Sequence, residues 1–442
     1  MTGYSNKKWY KPTKFSTKII YTIILLFLIR MCSNIPVPLI NKEYLKYLFE
    51  GKDSAYALIN AFSGGSFTRM TFMAIGVTPY ITASIILSLL TITFPKLKDI
   101  QQDGESGKKK WQRIQIFVGI ALGLLQSVGI AITFGRQGLI DPYKAWSVAV
   151  VSLIWTIGAT ITILIGEYIT KFCIGNGVSL LLASNIISEL PSDILNFFNV
   201  YIKDNDIAHI IISIITFSII VIGLIVATII LNNAQKEINV IYAGKSNENK
   251  YNNLKSTKNQ SMIPIKLNIA GVMPVIFTST LYSLPLMFLS NSSNRVAQEI
   301  VAICSSSSWF DLEHWWRISG FILYFVLVIG FAYFYGMIQF NTVEIAHNLK
   351  SSGAMIPGIR PGKPTVDYLN EQSKWLTLYG AIFLFVLTQI PTLICCFSNI
   401  KSLSFGGTSI LIIVGVILET TITIKSELML KSYKKHSSIL GL

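Results

Sequence analysis

The residue types that usually carry enzyme chemistry are present in this sequence, but they are scattered. It has five cysteines and four histidines. No two cysteines form a CxxC pair and no histidine belongs to an HExxH motif, the spacings that favour redox or zinc chemistry. The GxxxxGK[ST] loop that cradles nucleotide phosphates is missing as well. The sequence therefore predicts neither an enzyme nor a metal or cofactor site.

Three ionisable residues lie within or beside long apolar runs, where such groups are functional candidates by default. Arg30 lies within the first run, and Glu167 and Glu419 are near the ends of later ones. We expect Arg30 to make a polar contact or to reach the membrane surface, and both glutamates to reach water.

The composition indicates the elements that must position such residues. The 442-residue chain is 52% hydrophobic and 13% charged, with a mean hydropathy of +0.55. Soluble domains have about 25% charged residues, so a soluble chain of this length would lack a polar surface. The sequence predicts an all-α integral membrane protein.

Ten apolar runs approach the roughly 20 residues that a helix needs to cross a bilayer. They lie near residues 19–40, 73–94, 114–134, 147–169, 174–190, 207–231, 268–289, 317–340, 375–397 and 405–424. Two sets of five helices would have opposite orientations. We therefore predict two inverted halves, residues 1–190 and 191–442, although no sequence repeat supports them.

The basic residues predict the orientation of the chain. With both termini in the cytoplasm, 26 of the 37 lysines and arginines lie on the cytoplasmic side and 10 on the opposite side. Membrane proteins keep their positive charge inside. This asymmetry also explains the net charge of +15 without a nucleic-acid partner.

Glycine and proline interrupt three of the runs. The second contains Gly76 and Pro79, the seventh contains Gly271 and Pro274, and the fifth opens with residues 175–177, Gly-Asn-Gly. Such breaks persist in a membrane where neighbouring helices or a water cavity satisfy the freed backbone groups. These three helices are predicted to face the interior of the bundle.

Three long loops are also informative. The external loop 40–72 contains an apolar stretch that is too short to span the membrane, followed by Ser63, Gly64 and Gly65. It fits a displaceable re-entrant segment and an ordinary interfacial helix equally well. The cytoplasmic loops 232–267 and 341–374 predict a docking surface for a large partner.

Six segments of the chain carry distinctive motifs. They are FSGGSFTRMTFMAIGVTPYITASIILSLL (62–90), DGESGKKK (103–110), IGNGVS (174–179), IPIKLNIAGVMPVIF (263–277), SGAMIPGIRPGKPT (352–365) and FGGTSILI (405–412). Together they resemble the SecY family of protein-conducting channels. These segments are long, keep their order and cover almost the whole chain.

The resemblance implies that the two halves surround a central pore, which is closed by a narrow ring of aliphatic side chains. Such a ring excludes ions by dewetting and deforms around a moving chain. Carried over by motif, the ring residues are Val77, Ile81, Val178, Leu182, Ile276, Leu281 and Ile412.

The resemblance implies three further functional parts of the channel. A plug of about residues 57–72, including Phe62, Ser63, Gly64 and Gly65, would lie on the external side. A lateral gate between helices two and seven would release hydrophobic segments into lipid. Arg360 and Lys363, whose alternative role is to set topology, would contact a ribosome or a SecA motor.

The sequence departs from the family at two places. Loop 232–267 has lysines but no arginine, and Ser88 replaces the glutamine common in the second helix. The lack of arginine affects how a ribosome or a motor would dock on this loop. The smaller polar side chain of Ser88 changes the polarity of the lateral gate.

A passive channel needs partners, and the resemblance implies SecE-like and SecG-like membrane subunits, a SecA motor, the ribosome, signal peptides and unfolded secretory chains. It predicts the bacterial cell (inner) membrane, with a plastid membrane as the alternative. The rival interpretation is a secondary solute transporter, which also uses broken helices, but the broken helices here carry little charge.

Overall fold

The computed structural model describes residues 15–41, 43–45, 60–202, 207–242, 261–289, 294–310, 314–397 and 407–439. Residues 57–59 of the predicted plug and residues 243–260 of loop 232–267 lie outside these ranges. Residues 405–406 of the tenth run also lie outside them.

Helices dominate the described chain. The long ones are α1 (Phe15–Cys32), α2 (Thr78–Thr93), α4 (Gly104–Gly135), α5 (Ala145–Phe172), α6 (Gly177–Ile202), α7 (Ile207–Asn233), α8 (Met273–Leu289), α10 (Ile318–Gln339), α12 (Lys363–Phe397) and α13 (Gly407–Ile439). Shorter helices are α3 (Pro95–Gln102), α9 (Arg295–Cys304) and α11 (Thr342–Ser351).

Many of these helices can cross a membrane. Within the described ranges, seven are long and apolar enough, or eight if α2 and α3, which meet at a 117° bend, form one span. Helix α8 is apolar but has 17 residues. The predicted multi-pass membrane protein is confirmed.

Helices α2 and α8 begin in the same way. Each follows a glycine with positive φ, Gly76 at +57° and Gly271 at +64°, and each has a proline in its first turn, Pro79 and Pro274. Proline suits this position because the first-turn amides have no helical acceptor. The prediction that these residues interrupt the helices is wrong, because they start them.

The predicted C-terminal ends of two other helices are also wrong. Helix α1 ends at Cys32, and the chain beyond it turns and forms bridges from Pro36 to Thr71 and from Ile40 to Ile140. Helix α6 continues through Pro191 to Ile202, since the proline removes one hydrogen bond without ending the helix. The predicted boundary between the halves at residues 190 and 191 therefore falls inside α6.

A small sheet corrects the all-α prediction. Strands β1 (Gln235–Tyr242), β2 (Ser261–Lys266) and β3 (Ala354–Met355) pair antiparallel in the order β2-β1-β3. Ile238 and Val240 on β1 are buried between exposed neighbours, the alternation of a strand with one covered face. The two predicted cytoplasmic loops are thus joined by β1 and β3.

Two apolar clusters hold the bundle together. The central core joins residues of α1, α2, α6, α7, α8, α10, α12 and α13. The second, which we term the aromatic core, joins α4, α5, α8 and α10 to residues 67–75, around Trp155 and Tyr324. The segment between α1 and α2 therefore packs into both clusters.

Candidate channel ring, plug and cavity

The structure brings six of the seven predicted ring residues into the central core. Five are buried there and Val178 packs against them while partly buried. The buried five are Val77, Ile81, Leu182, Ile276 and Ile412. They come from the start of α2, from α6, from α8 and from α13, so the cluster is built by tertiary packing.

Leu281 does not join this cluster and is 38% exposed. It lies five residues after Ile276 on α8. Five residues turn an α-helix by about 500°, which places the two side chains on different faces. The structure thus separates Leu281 from the other predicted ring residues.

The same cluster contains apolar residues that motif matching missed. Ile85 and Ile186 lie four residues after Ile81 and Leu182, on the same helix faces, and both are buried in the central core. A search for the i, i+4 spacing could have found them. Phe62, predicted for the plug, is also buried there.

A cavity of about 390 Å³ lies against the ring residues. Ile81, Val178, Leu182 and Ile276 form part of its lining. Its other walls mix polar residues, among them Ser84, Ser88, Gln101, Lys108, Gln112, Gln115, Glu167, Asn176 and Ser179, with apolar ones such as Trp111, Met273, Phe277 and Ile338. Because Gln101 and Lys108 belong to a predicted cytoplasmic loop, the cavity extends toward that side of the bundle.

One hydrogen bond crosses the wall of this cavity. The Tyr80 hydroxyl of α2 donates to the Glu167 carboxylate of α5. Glu167 therefore has a partner within the bundle as well as access to the cavity. Glu419 is exposed on α13, and its access to water stays a prediction.

The two helices predicted for the lateral gate are in contact. Helix α2 packs against α8, and α8 packs against α10. Phe277 of α8 makes edge contacts with Phe331 and Tyr335 of α10, with ring centroids 5.8 and 5.5 Å apart. Ser88 is buried on α2 and lines the cavity.

The residues predicted for the plug form a helical turn and a tight bend. Residues 60–63 are helical, and Gly64 and Gly65 follow with φ of +64° and +77°. Left-handed backbone favours glycine because it lacks a Cβ atom. Ser63 Oγ donates to the Asn60 carbonyl and accepts from the Phe67 amide.

Two side chains from long helices bind this bend. Both terminal nitrogens of Arg30 donate to the Gly64 carbonyl at 3.2 Å, and one donates to Asn185 Oδ1 at 3.4 Å. Asn185 Nδ2 donates to the Phe62 carbonyl at 2.8 Å. The prediction that Arg30 makes a polar contact is confirmed.

Arg360 and Lys363 are exposed beside the start of α12. Gly358 and Gly362 flank them with φ of +81° and +110°. The loop tip therefore presents both cations to solvent. Throughout the described ranges, no group of three or more His, Cys, Asp or Glu side chains is arranged to hold a metal ion.

Comparisons with known proteins identify relatives over nearly the full length. The SecY family model matches residues 71–421. The protein translocase subunit SecY of Staphylococcus epidermidis is 32% identical over 434 residues, covering 97% of each chain. That of Corynebacterium glutamicum is 32% identical over 450 residues, covering 96% of this chain and 98% of its own.

Solved structures share the fold. A protein-conducting channel aligns with a TM-score of 0.63 at 19% identity, covering 95% of this chain and 94% of that one. Sec61 from the canine ribosome-channel complex of the endoplasmic reticulum aligns with a TM-score of 0.59 at 16% identity, with the same coverage. The family model, the relatives and the shared fold agree that this chain belongs to the SecY family.

Proposed function

We propose that this chain is the central protein-conducting subunit of a Sec translocase. It passes unfolded secretory proteins across the membrane and releases hydrophobic segments through a lateral gate between α2 and α8. Release into lipid is favoured by about 0.8 kcal/mol for each buried CH₂ group.

One observation carries this proposal. Aliphatic side chains from α2, α6, α8 and α13 meet in one cluster at the boundary of a cavity whose walls carry both polar and apolar side chains. An apolar constriction beside a wet vestibule blocks ions by dewetting, yet no fixed bond must break when it widens.

We further propose ten membrane spans, with both termini in the cytoplasm and two inverted halves. The charge asymmetry of the loops supports the orientation. The shared Gly-Val-Xaa-Pro start of α2 and α8 supports the inverted halves, because these are the second helix of each five-helix half.

The channel itself is passive in this proposal, and its driving force comes from a SecA motor or a translating ribosome. Structural neighbours include Sec61 and Ssh1 in complexes with ribosomes. The exposed Arg360 and Lys363 would contribute to docking, and SecE-like and SecG-like subunits would bind within the membrane. The bacterial relatives favour a bacterial cell membrane, which in a cell with two membranes would be the inner one.

Crosslinking tests the path of the translocated chain. Single cysteines replace Ile81 or Ile276 in inner-membrane vesicles, and a secretory precursor with a thiol-reactive probe is stalled during transport. We expect adducts at both positions and none with a cysteine at the exposed Leu281. Equal labelling at Leu281, or none at the ring, would contradict the proposal.

A flux assay separates the rival function. Vesicles containing the chain should translocate precursor with SecA and ATP. Saturable uptake of a small solute without precursor transport would favour a secondary transporter.

A further inference from the structure

We propose that Arg30 and Asn185 form a latch that holds the plug bend against the closed ring. The proposal deepens the function above and rests on it. The latch joins α1 and α6 to the carbonyl groups of Phe62 and Gly64, next to the ring residues rather than on the cytoplasmic cavity.

The segment before the bend and the segment after it are held differently. Residues 66–72 are tied to the chain after α1 by backbone contacts, since the Phe72 amide donates to the Ile35 carbonyl at 2.9 Å and Pro36 bridges Thr71. Phe67 is fully buried in the aromatic core, with an edge contact to Phe134. This side of the bend is anchored.

Residues 60–65 are held mainly through side chains. The amides of Gly64 and Gly65 donate locally, to the carbonyls of Ala61 and Asn60. The bonds from α1 and α6 instead come from Arg30 and Asn185. Releasing these residues therefore requires no backbone bond to the long helices to break.

The latch works as one unit. Arg30 donates to Asn185, and each of them also donates to the bend. A charge-assisted hydrogen bond in a partly buried site is stronger than its counterpart in water. Loss of either side chain leaves the other with fewer partners, so the effects of removing both should not add.

The space around Gly64 and Gly65 leaves no room for a side chain at either position. A Cβ atom on Gly64 would overlap Arg30 Nη1, and one on Gly65 would overlap the Glu189 carboxylate. Arg69 also donates to the Gly65 carbonyl at 2.9 Å. Two glycines thus allow cationic and amide groups to reach the backbone directly.

The test measures resting ion conductance of the full chain, purified with its membrane partners and placed in planar bilayers without precursor. Arg30→Gln, Asn185→Leu and the double variant are compared with wild type. Each should raise the open fraction by about tenfold or more. The double variant should equal the stronger single variant rather than the product of both.

Three controls keep the result specific. Met31→Ala and Ile187→Ala change exposed neighbours on the same helices and should leave the channel closed. Arg30→Lys, which keeps a cation that can donate to Gly64, should restore most of the closure. Unchanged thermal unfolding of the variants would show that the leak does not come from a damaged bundle.

The outcomes separate this proposal from the function. If the latch variants have the resting conductance of wild type, in a preparation whose wild type transports precursor, the latch is overturned and the proposed function stands. Equal leaks in Met31→Ala and Ile187→Ala would also overturn the latch. A wild type that fails to transport precursor would overturn the proposed function and the latch together.

Discussion

The two sides of the proposed constriction are closed by different kinds of interaction. On the plug side, Arg30 and Asn185 donate to fixed backbone carbonyls. On the cavity side, aliphatic residues such as Ile81 and Leu182 meet without hydrogen bonds between their side chains.

This difference teaches how a channel can be both tight and deformable. Hydrogen bonds depend on distance and angle, so the latch specifies one position of the bend. Apolar contacts have no preferred direction, so the ring can open and re-form around a chain of any sequence. The predictions below alter one side at a time.

The largest increase in resting conductance should come from making the ring polar. Ile276→Asn places an amide in the apolar cluster, which admits water and ions, and resting conductance should rise about a hundredfold. The matched control is Leu281→Asn on the same helix, since Leu281 is exposed. Similar leaks in both variants would remove the functional distinction between these positions.

A smaller increase in open probability is expected from breaking the hydrogen bond between α2 and α5 on the cavity side. Tyr80→Phe removes the bond from α2 to Glu167, which should favour the open gate by about 1.5 kcal/mol. Open probability in bilayers measures this change. Adding Glu167→Gln to Tyr80→Phe should change the open probability little further. Tyr333→Phe on α10 serves as the control.

The smallest effect concerns the polarity of the gate. Ser88→Gln extends an amide from α2 into the cavity, so a signal segment must displace a more polar group to leave between α2 and α8. We expect weakly hydrophobic signals to be exported about twofold less efficiently. Export is measured with signals of graded leucine content. An identical response to Ser84→Gln would assign the effect to the cavity rather than to this position.

The sequence by itself determined the class of this protein and its broad plan. A hydrophobic content of 52% with 13% charge leaves too little polar surface for a soluble fold. The ordered motifs from residue 62 to 412 identified the family and proposed seven ring candidates, six of which meet in the central core. These features are local or compositional, so they can be read without coordinates.

Only the tertiary structure decided which side chains meet. Every ring candidate is aliphatic in an apolar helix, and helix rotation alone separates Leu281 from Ile276. The contact between Arg30 and Gly64 joins residues 34 positions apart, and that between Asn185 and Phe62 spans 123 positions. Such contacts depend on how helices pack, because a sequence pattern specifies a helix face but does not name the residue that packs against it.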